Sequence, residues 1–361
     1  MPKRTPTALI EFSVSHLECL HSQILFLKSA GAEIHLVLPD RLRAYAGNLD
    51  KSVFVYFLSE GDGCAVHWLM LLQLRRYLVK HNVKTVVFNT GEGNAVRNFS
   101  VIAPRWINYA GILHHAEKLR NSFTQFVIGR TVKKYFVMSD YLLEYIPRRT
   151  RQKVRSFSPI FLPDEGRVDV PKPKEEFWVC IPGVVEYRRR DYAGLVRALK
   201  TTPVDPAVRF IILGTGTGRE GDELAFRRMV ADAHMEEHFV FFEEFIPQNV
   251  FVGYLRQSDL ILPLLHPGIA IYDSYRYHGI SGTFNLAFGL GVPMLMDTSW
   301  ECLEDFQRTS LFYQPEAVVS SINSLVHDRT PIAAKRMAIQ SYEKFSFQYQ
   351  RDRYIDFLAK K

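Results

Sequence analysis

The chain has 361 residues, enough for two domains, and its 47% apolar and 23% charged residues are the balance of an ordinary globular protein and exclude a disordered one. No apolar run reaches the ~18–20 residues needed to span a bilayer, and four scattered cysteines without a Cys-x-x-Cys pair give no support to a disulfide framework or a zinc site. The net charge of +7 is unevenly held: residues 1–165 carry 22 Lys and Arg against 13 Asp and Glu, the remainder 23 against 25.

In chain order, MPKRTPTALIEF reads as a first strand, because no small-residue cleavage site follows its short apolar patch. ALIEF, EIHLVLP, VFVYFLS, TVVFNT and WINYAGIL are strand-like runs rich in Val, Ile and aromatics. Between them lie helical stretches, His16 to Ser29 stopped by Gly31, and Cys64 to Lys80. YFVMSD adds a strand, followed by a short helix that Pro147 ends. A basic run then follows at Arg148, Arg149, Arg151, Lys153 and Arg155, suited to closely spaced phosphates or to a solvated loop. Residues 162–176 hold three prolines, a glycine and many charges, the composition of a linker.

The alternation restarts with FWVCIPG, RFIILG, FVFFEE, LILPLL and PMLMD as strands. Helices are expected near Asp191–Lys200, Arg219–Met235, Gln248–Gln257 and Gly282–Leu290, and a last one from about Gln348. Strand–helix alternation on both sides of a linker implies two parallel-sheet domains with ligands at the carboxyl ends of the strands. Cys19 and Cys180 fall in apolar segments and read as buried, reduced thiols, which points to the cytoplasm.

Three segments of the second half carry chemistry. In Cys180 to Leu199 a strand ends at Pro182-Gly183, and a loop with Arg188, Arg189 and Arg190 precedes a helix, so three guanidiniums can meet a diphosphate. In Tyr277 to Met296 the loop Gly279-Ile280-Ser281-Gly282-Thr283 opens a helix, with Ser281 as N-cap and the amides of Gly282 and Thr283 free for an anion. The third is FVFFEEFIPQ, where Phe245 and Ile246 either flank a nucleobase or belong to the core. Each also has a plain structural reading: a charged loop, a capped helix, a strand end.

These segments, in this order, resemble the donor domain of GT-B glycosyltransferases, close to the bacterial retaining family (family 4-like) that builds cell-surface polysaccharides. The resemblance rests on the Gly-then-basic loop, the turn at Phe245–Pro247, the strand opened by Asp259, the loop–helix ending Gly291 to Pro293, and the tail Phe345-Ser346-Phe347. It covers Phe177 to Lys361, while the first half matches only in its α/β pattern. One departure stands out: where the family carries two glutamates eight positions apart, this chain has His278 and Leu286.

The resemblance implies a GT-B fold: two Rossmann-like parallel-sheet domains facing across a cleft, with residues 1–165 binding the acceptor and 176–340 the nucleotide sugar. Residues 341–361 are the crossover helix returning to the first domain. Its implied activity is transfer of a sugar, a hexose for this family, to a carbohydrate or lipid-linked acceptor in cell-surface polysaccharide or lipopolysaccharide assembly. Donor-binding candidates are Gly183, Arg188, Arg189, Arg190, Phe245, Ile246, His278, Ser281, Gly282 and Thr283. Catalytic candidates are His114, His115 and Glu117, directly after WINYAGIL, and His16 after the first strand; Gly91-Glu92-Gly93-Asn94 is a further substrate-suited turn. No Asp-x-Asp occurs, so a metal-independent reaction without a cofactor is expected, the cations and the helix start holding the leaving diphosphate. The basic half admits an anionic membrane surface as partner at the inner face of the membrane, and no nucleic-acid motif is present. The competing readings are a GT-B sugar-nucleotide epimerase, a non-catalytic nucleotide-sugar or nucleic-acid binder, and an inactive scaffold.

Overall fold

Strands buried on both faces need no polar alternation, and EIHLVLP, with Ile34–Pro39 buried throughout, is such a strand. The structure is a computed structural model that describes residues 5–14, 16–47, 51–59, 64–163, 166, 168–214 and 220–360. The chain divides into two units. The first is Met1–Pro163 with Arg276–Ile280 and Ser346–Lys361; the second is Asp164–Tyr275 with Ser281–Phe345. Residues 164, 165 and 167 of the expected linker, 1–4 of the opening segment and Arg219 at the start of an expected helix lie outside the described residues.

The first unit holds a parallel sheet of seven strands: β1 (Pro6–Ile10), β2 (Glu33–Pro39), β3 (Phe54–Leu58), β4 (Thr85–Phe88), β5 (Asn108–Ile112), β6 (Lys134–Val137) and β7 (Val154–Ser156). Their order is β3-β2-β1-β4-β5-β6-β7, so the winding reverses between β1 and β4. The second unit holds β8 (Phe177–Pro182), β9 (Val208–Leu213), β10 (Phe239–Val240), β11 (Leu260–Ile261), β12 (Met294–Asp297) and β13 (Ser310–Tyr313). These are also parallel, in the order β10-β9-β8-β11-β12-β13, and reverse between β8 and β11. Such reversal points leave a crevice at the carboxyl ends where neighbouring loops part to opposite faces.

The helices Cys64–Lys80, Gln248–Gln257 and Gly282–Leu290 have the expected bounds, and Asp191 caps Tyr192–Thr201 by accepting from the Gly194 amide at 2.8 Å. The first helix begins at Glu18, not His16, because His16 takes a left-handed φ of 64°. The short helix before Pro147 is a 3-10 turn, Asp140–Tyr145. FVFFEE and LILPLL form only two-residue strands: Pro263 has no amide to donate and Leu264 has φ 55°.

The closing helix, Phe347–Ala359, belongs to the first unit. Ser346 caps it by accepting from the Tyr349 amide at 3.2 Å. Tyr354 is fully buried, stacks on Phe136 at 4.7 Å and donates to Gln23 at 2.9 Å. Its burial contributes about 2–3 kcal/mol, so removing the tail opens the core of the first unit. Among the described residues no helix is long and apolar enough to cross a membrane.

Candidate functional site

Both candidate sites lie at the reversal points. In the second unit, β8 ends at Pro182 and the chain turns through Gly183, whose φ of 99° favours glycine. A cavity of about 220 Å³ opens there, bounded by Gly183, Arg189, Arg190, Ser281, Thr283 and Leu286. Among the described residues no carboxylate lines it. The helix Gly282–Leu290 points its start into this space, and its first amides have no partner earlier in the helix. Cations, helix amides and no acid make the cavity attractive to an anion.

The three arginines are not equivalent. Arg188 and Arg189 both pair with Glu186, at 3.0 and 2.8 Å, and stay half-exposed. Arg190 is buried and donates to the carbonyls of Pro182 and Val184 and to Thr283 Oγ1 at 3.1 Å, which ties the Gly183 turn to the start of the helix. Its Nε is buried without a partner. Arg188 does not line the cavity. Ser281 occupies the N-cap position with extended backbone, but its side chain makes no capping bond. Phe245 is 81% exposed, so it is not a core residue; Ile246 is buried, and neither lines the cavity, where Phe251 does. His266 donates to Asp191 at 2.8 Å, and that bond raises the imidazole above its ordinary pKa while holding the carboxyl below its own.

In the first unit the reversal between β1 and β4 is occupied by Glu11, one residue past β1, and Asn89-Thr90, just past β4. Glu11 is buried and its carboxylate accepts from Asn89 Nδ2 at 2.8 Å, Thr90 at 2.7 Å and the Ser13 amide at 2.8 Å. Asn89 also accepts from Gln23 at 2.7 Å. This network fixes the turn after β4, and His114, buried past β5, places Nε2 at 2.9 Å from the Asn89 carbonyl of that turn. A carbonyl only accepts, so Nε2 carries the proton and Nδ1 presents a lone pair. That Nδ1 is buried with no partner among the described residues.

Burial pushes the His114 imidazole down to about 3, helped by the neighbouring His16. The two rings stack at 3.6 Å. At neutral pH His114 is therefore a hydrogen-bond acceptor and not a proton shuttle, which needs a pKa near the working pH. His115, beside it, is exposed. Glu117 reaches His278 Nδ1 at 3.2 Å, and the His278 carbonyl accepts from the Ala116 amide at 2.8 Å, so the segment Arg276–Ile280 is fastened to the loop after β5. Glu92 is buried and pairs with Lys118 at 3.0 Å. Gly91 lies against Gly111, where an added Cβ would come within 2.8 Å of the Gly111 Cα.

No protein-family model matches the sequence, and no curated protein matches it. Solved structures do match the fold. The Anabaena protein Alr3699/HepE in complex with UDP is 13% identical, with 98% of this chain and 100% of that one covered and a TM-score of 0.70. A glycosyltransferase from Rickettsia africae is 12% identical over 99% and 98%, with a TM-score of 0.71. The fold is GT-B. A UDP-GlcNAc 2-epimerase from Methanocaldococcus jannaschii shares it, at 11% identity over 93% and 98% with a TM-score of 0.58. Identities this low establish the fold of two parallel-sheet domains and leave activity to be argued from the sites.

Proposed function

We propose that the chain is a hexosyl-transferring glycosyltransferase. It would move sugar from a nucleotide-sugar donor to a carbohydrate or lipid-linked acceptor during cell-surface polysaccharide or lipopolysaccharide assembly, at the cytoplasmic face of a membrane. The observation that carries this reading is the cavity at the β8/β11 reversal, where two arginines and the start of Gly282–Leu290 surround Gly183 and no described acid does. Breaking a sugar–phosphate bond leaves growing negative charge on the diphosphate, and preorganised donors in a partly closed site stabilise that charge. Arg189 supplies a half-exposed guanidinium, Arg190 holds the loop in place, and the helix amides supply fixed donors. This set serves the diphosphate without a metal ion or other cofactor.

Two observations in the first unit support the sugar-handling half. The unpartnered Nδ1 of His114 accepts a hydrogen bond from a sugar hydroxyl. Glu117 brings a carboxylate to His278, the position at which the resemblance expects an acid. The UDP in the HepE structure, and UDP with glucose in a second structure of that protein, make uridine the first base to test.

Thermal shift and calorimetry against UDP-, GDP-, ADP- and CMP-sugars test the donor, because a ligand at 100 times its Kd raises stability by about 2.7 kcal/mol. Nucleotide diphosphate released only in the presence of an acceptor glycan supports transfer. Inversion at C2 of the donor sugar without acceptor makes the chain an epimerase, and binding of no nucleotide sugar overturns the reading.

A further inference from the structure

A further cavity in the first unit lies at the opposite edge of the sheet from His114. Thr85, Asn108 and Lys134, the first residues of β4, β5 and β6, line it, so it opens at the amino-terminal ends of the strands. Its volume is about 640 Å³. Arg105, Arg130, Lys133, Lys134 and Lys360 line it, and among the described residues no carboxylate does. Lys133 donates to the Gly129 carbonyl, and Lys134 to the carbonyls of Leu358 and Lys360; no carboxylate among the described residues pairs with any of the five. Lys153 enters the same edge, since its carbonyl accepts from the Tyr135 amide as β7 begins beside β6, and the basic turn Arg148–Arg151 precedes it.

A second feature borders the same cavity. Val101 lines it and is 69% exposed; Trp106, next to Arg105, is 60% exposed. Phe126, 61% exposed, carries Arg130 over its ring at 5.1 Å and meets Phe123, 77% exposed, at 6.4 Å. Four large apolar side chains in water beside five cations without a carboxylate partner among the described residues suit a partner that is both anionic and apolar. A soluble phosphate satisfies only the cations. Single-stranded nucleic acid needs ring faces for successive bases, and of the four side chains Trp106 is the one that offers such a face: Phe123 and Phe126 face each other, Arg130 covers Phe126, and Val101 has no ring. A bilayer surface satisfies all of them, with phosphates at the cations and the rings in the interfacial layer.

We propose that this amino-terminal edge is a docking face for an anionic phospholipid membrane, with lipid phosphate seated in the cavity and Trp106, Phe123, Phe126 and Val101 entering the interface. The proposal deepens the membrane partner of the glycosyltransferase reading and uses none of its catalytic or donor-binding residues. It also sets an orientation: the membrane-facing edge and the His114 edge are separated by the length of β5, five residues at about 3.3 Å each, so the chemistry stands off the lipid surface.

The test is flotation with phosphatidylcholine vesicles with and without phosphatidylglycerol. Wild-type protein should float only with the anionic lipid, and less as salt rises. The Arg130→Ala/Lys133→Ala/Lys360→Ala variant should lose on the order of a hundredfold in partitioning, at about 1 kcal/mol for each cation near such a surface. A charge-matched control in the second unit, Lys200→Ala/Arg228→Ala/Arg256→Ala, should bind as wild type. Bromolipid should quench the tryptophan fluorescence of the wild type and spare Trp106→Phe. Nucleotide-sugar binding, followed in the same variants, should not change. If the protein binds anionic vesicles equally well in both triple variants, the docking face is elsewhere while membrane binding stands. If it binds no vesicle but still binds nucleotide sugar, docking fails and the enzyme reading survives; the reverse pattern overturns only the enzyme reading. Single-stranded RNA that binds the wild type and not the cavity variant, with no vesicle binding, assigns the face to nucleic acid and overturns the proposal.

Discussion

Replacing His114 with glutamine isolates the electrostatic state of the first-unit site. Glutamine can donate to the Asn89 carbonyl and still present an oxygen where Nδ1 stands, so the hydrogen bonds are kept and the titration is removed. In the folded protein burial first, and His16 second, depress the imidazole to about 3 from an ordinary value of 6.5. Between those values the unfolded chain binds a proton that the folded chain does not, so stability rises with pH across that window and is lost as pH falls through it. The limiting slope is about 1.4 kcal/mol per pH unit, which gives roughly 2 kcal/mol between pH 6.5 and 4.5. The variant should lack this loss. Urea unfolding over that range, with hydrogen exchange in β4 and β5 to report on the first unit alone, measures the difference. Two parallel curves would show that His114 titrates as it does in the unfolded chain. A kcat/KM profile with an inflection near pH 6 that vanishes in the variant would make it a proton shuttle and refute the acceptor role.

Other perturbations separate binding from scaffolding. Arg189→Ala should weaken nucleotide diphosphate binding by about 10- to 100-fold, the worth of a charge-assisted contact, with Tm unchanged because the side chain is half-exposed; calorimetry and thermal melts check both. Arg190→Ala should instead lower Tm, since it strands the buried Thr283 hydroxyl and two carbonyls. His266→Asn should remove a pH-dependent part of the second unit's stability. The raised imidazole contributes fully below pH 6.5 and is lost as pH climbs through its folded value, so wild type and variant should converge in alkali, read by urea midpoints. Gly214→Ala places a Cβ 2.1 Å from the Gly183 carbonyl oxygen and should destabilise the second unit by several kcal/mol and abolish nucleotide binding, as melts with and without UDP would show. Glu117→Gln should leave nucleotide affinity intact and lower kcat, since it touches His278 and no residue of the second-unit cavity.

The fold was legible because parallel strands buried on both faces write themselves as unbroken apolar runs, as in EIHLVLP and FWVCIP. Elements without that signature stayed hidden. In β7 Arg155 interrupts the apolar run, its guanidinium lying over the Phe357 ring, and the segment reads as part of a basic patch. The helices Val318–His327 and Thr330–Ser341 and the strand Ser310–Tyr313 lie in a stretch that no chemical motif marks. At the sites, residue type located the neighbourhood and partners decided the role. Three consecutive arginines look alike in sequence, but Glu186 takes two and the Pro182 and Val184 carbonyls take the third. Glu11 was missed although its signal was present, a carboxylate closing an apolar strand. Only the reversal beside β4 shows why it is buried.

The substitution of His278 and Leu286 for the expected glutamates affects the two positions differently. Leu286 lines the second-unit cavity, where an acid would face a nucleotide's ribose hydroxyls, and an aliphatic side chain offers them no acceptor. On the glycosyltransferase reading, affinity there must rest on the diphosphate contacts, and discrimination between ribose and deoxyribose should be weak. His278 differs, because Glu117 stands 3.2 Å from its ring and the Ala116 amide holds its backbone. A carboxylate thus stands on the loop after β5, against a histidine of the 276–280 segment. The pair keeps a carboxylate beside that segment. A lost glutamate at 278 is therefore weak evidence for an inactive scaffold: the charge remains, carried by Glu117.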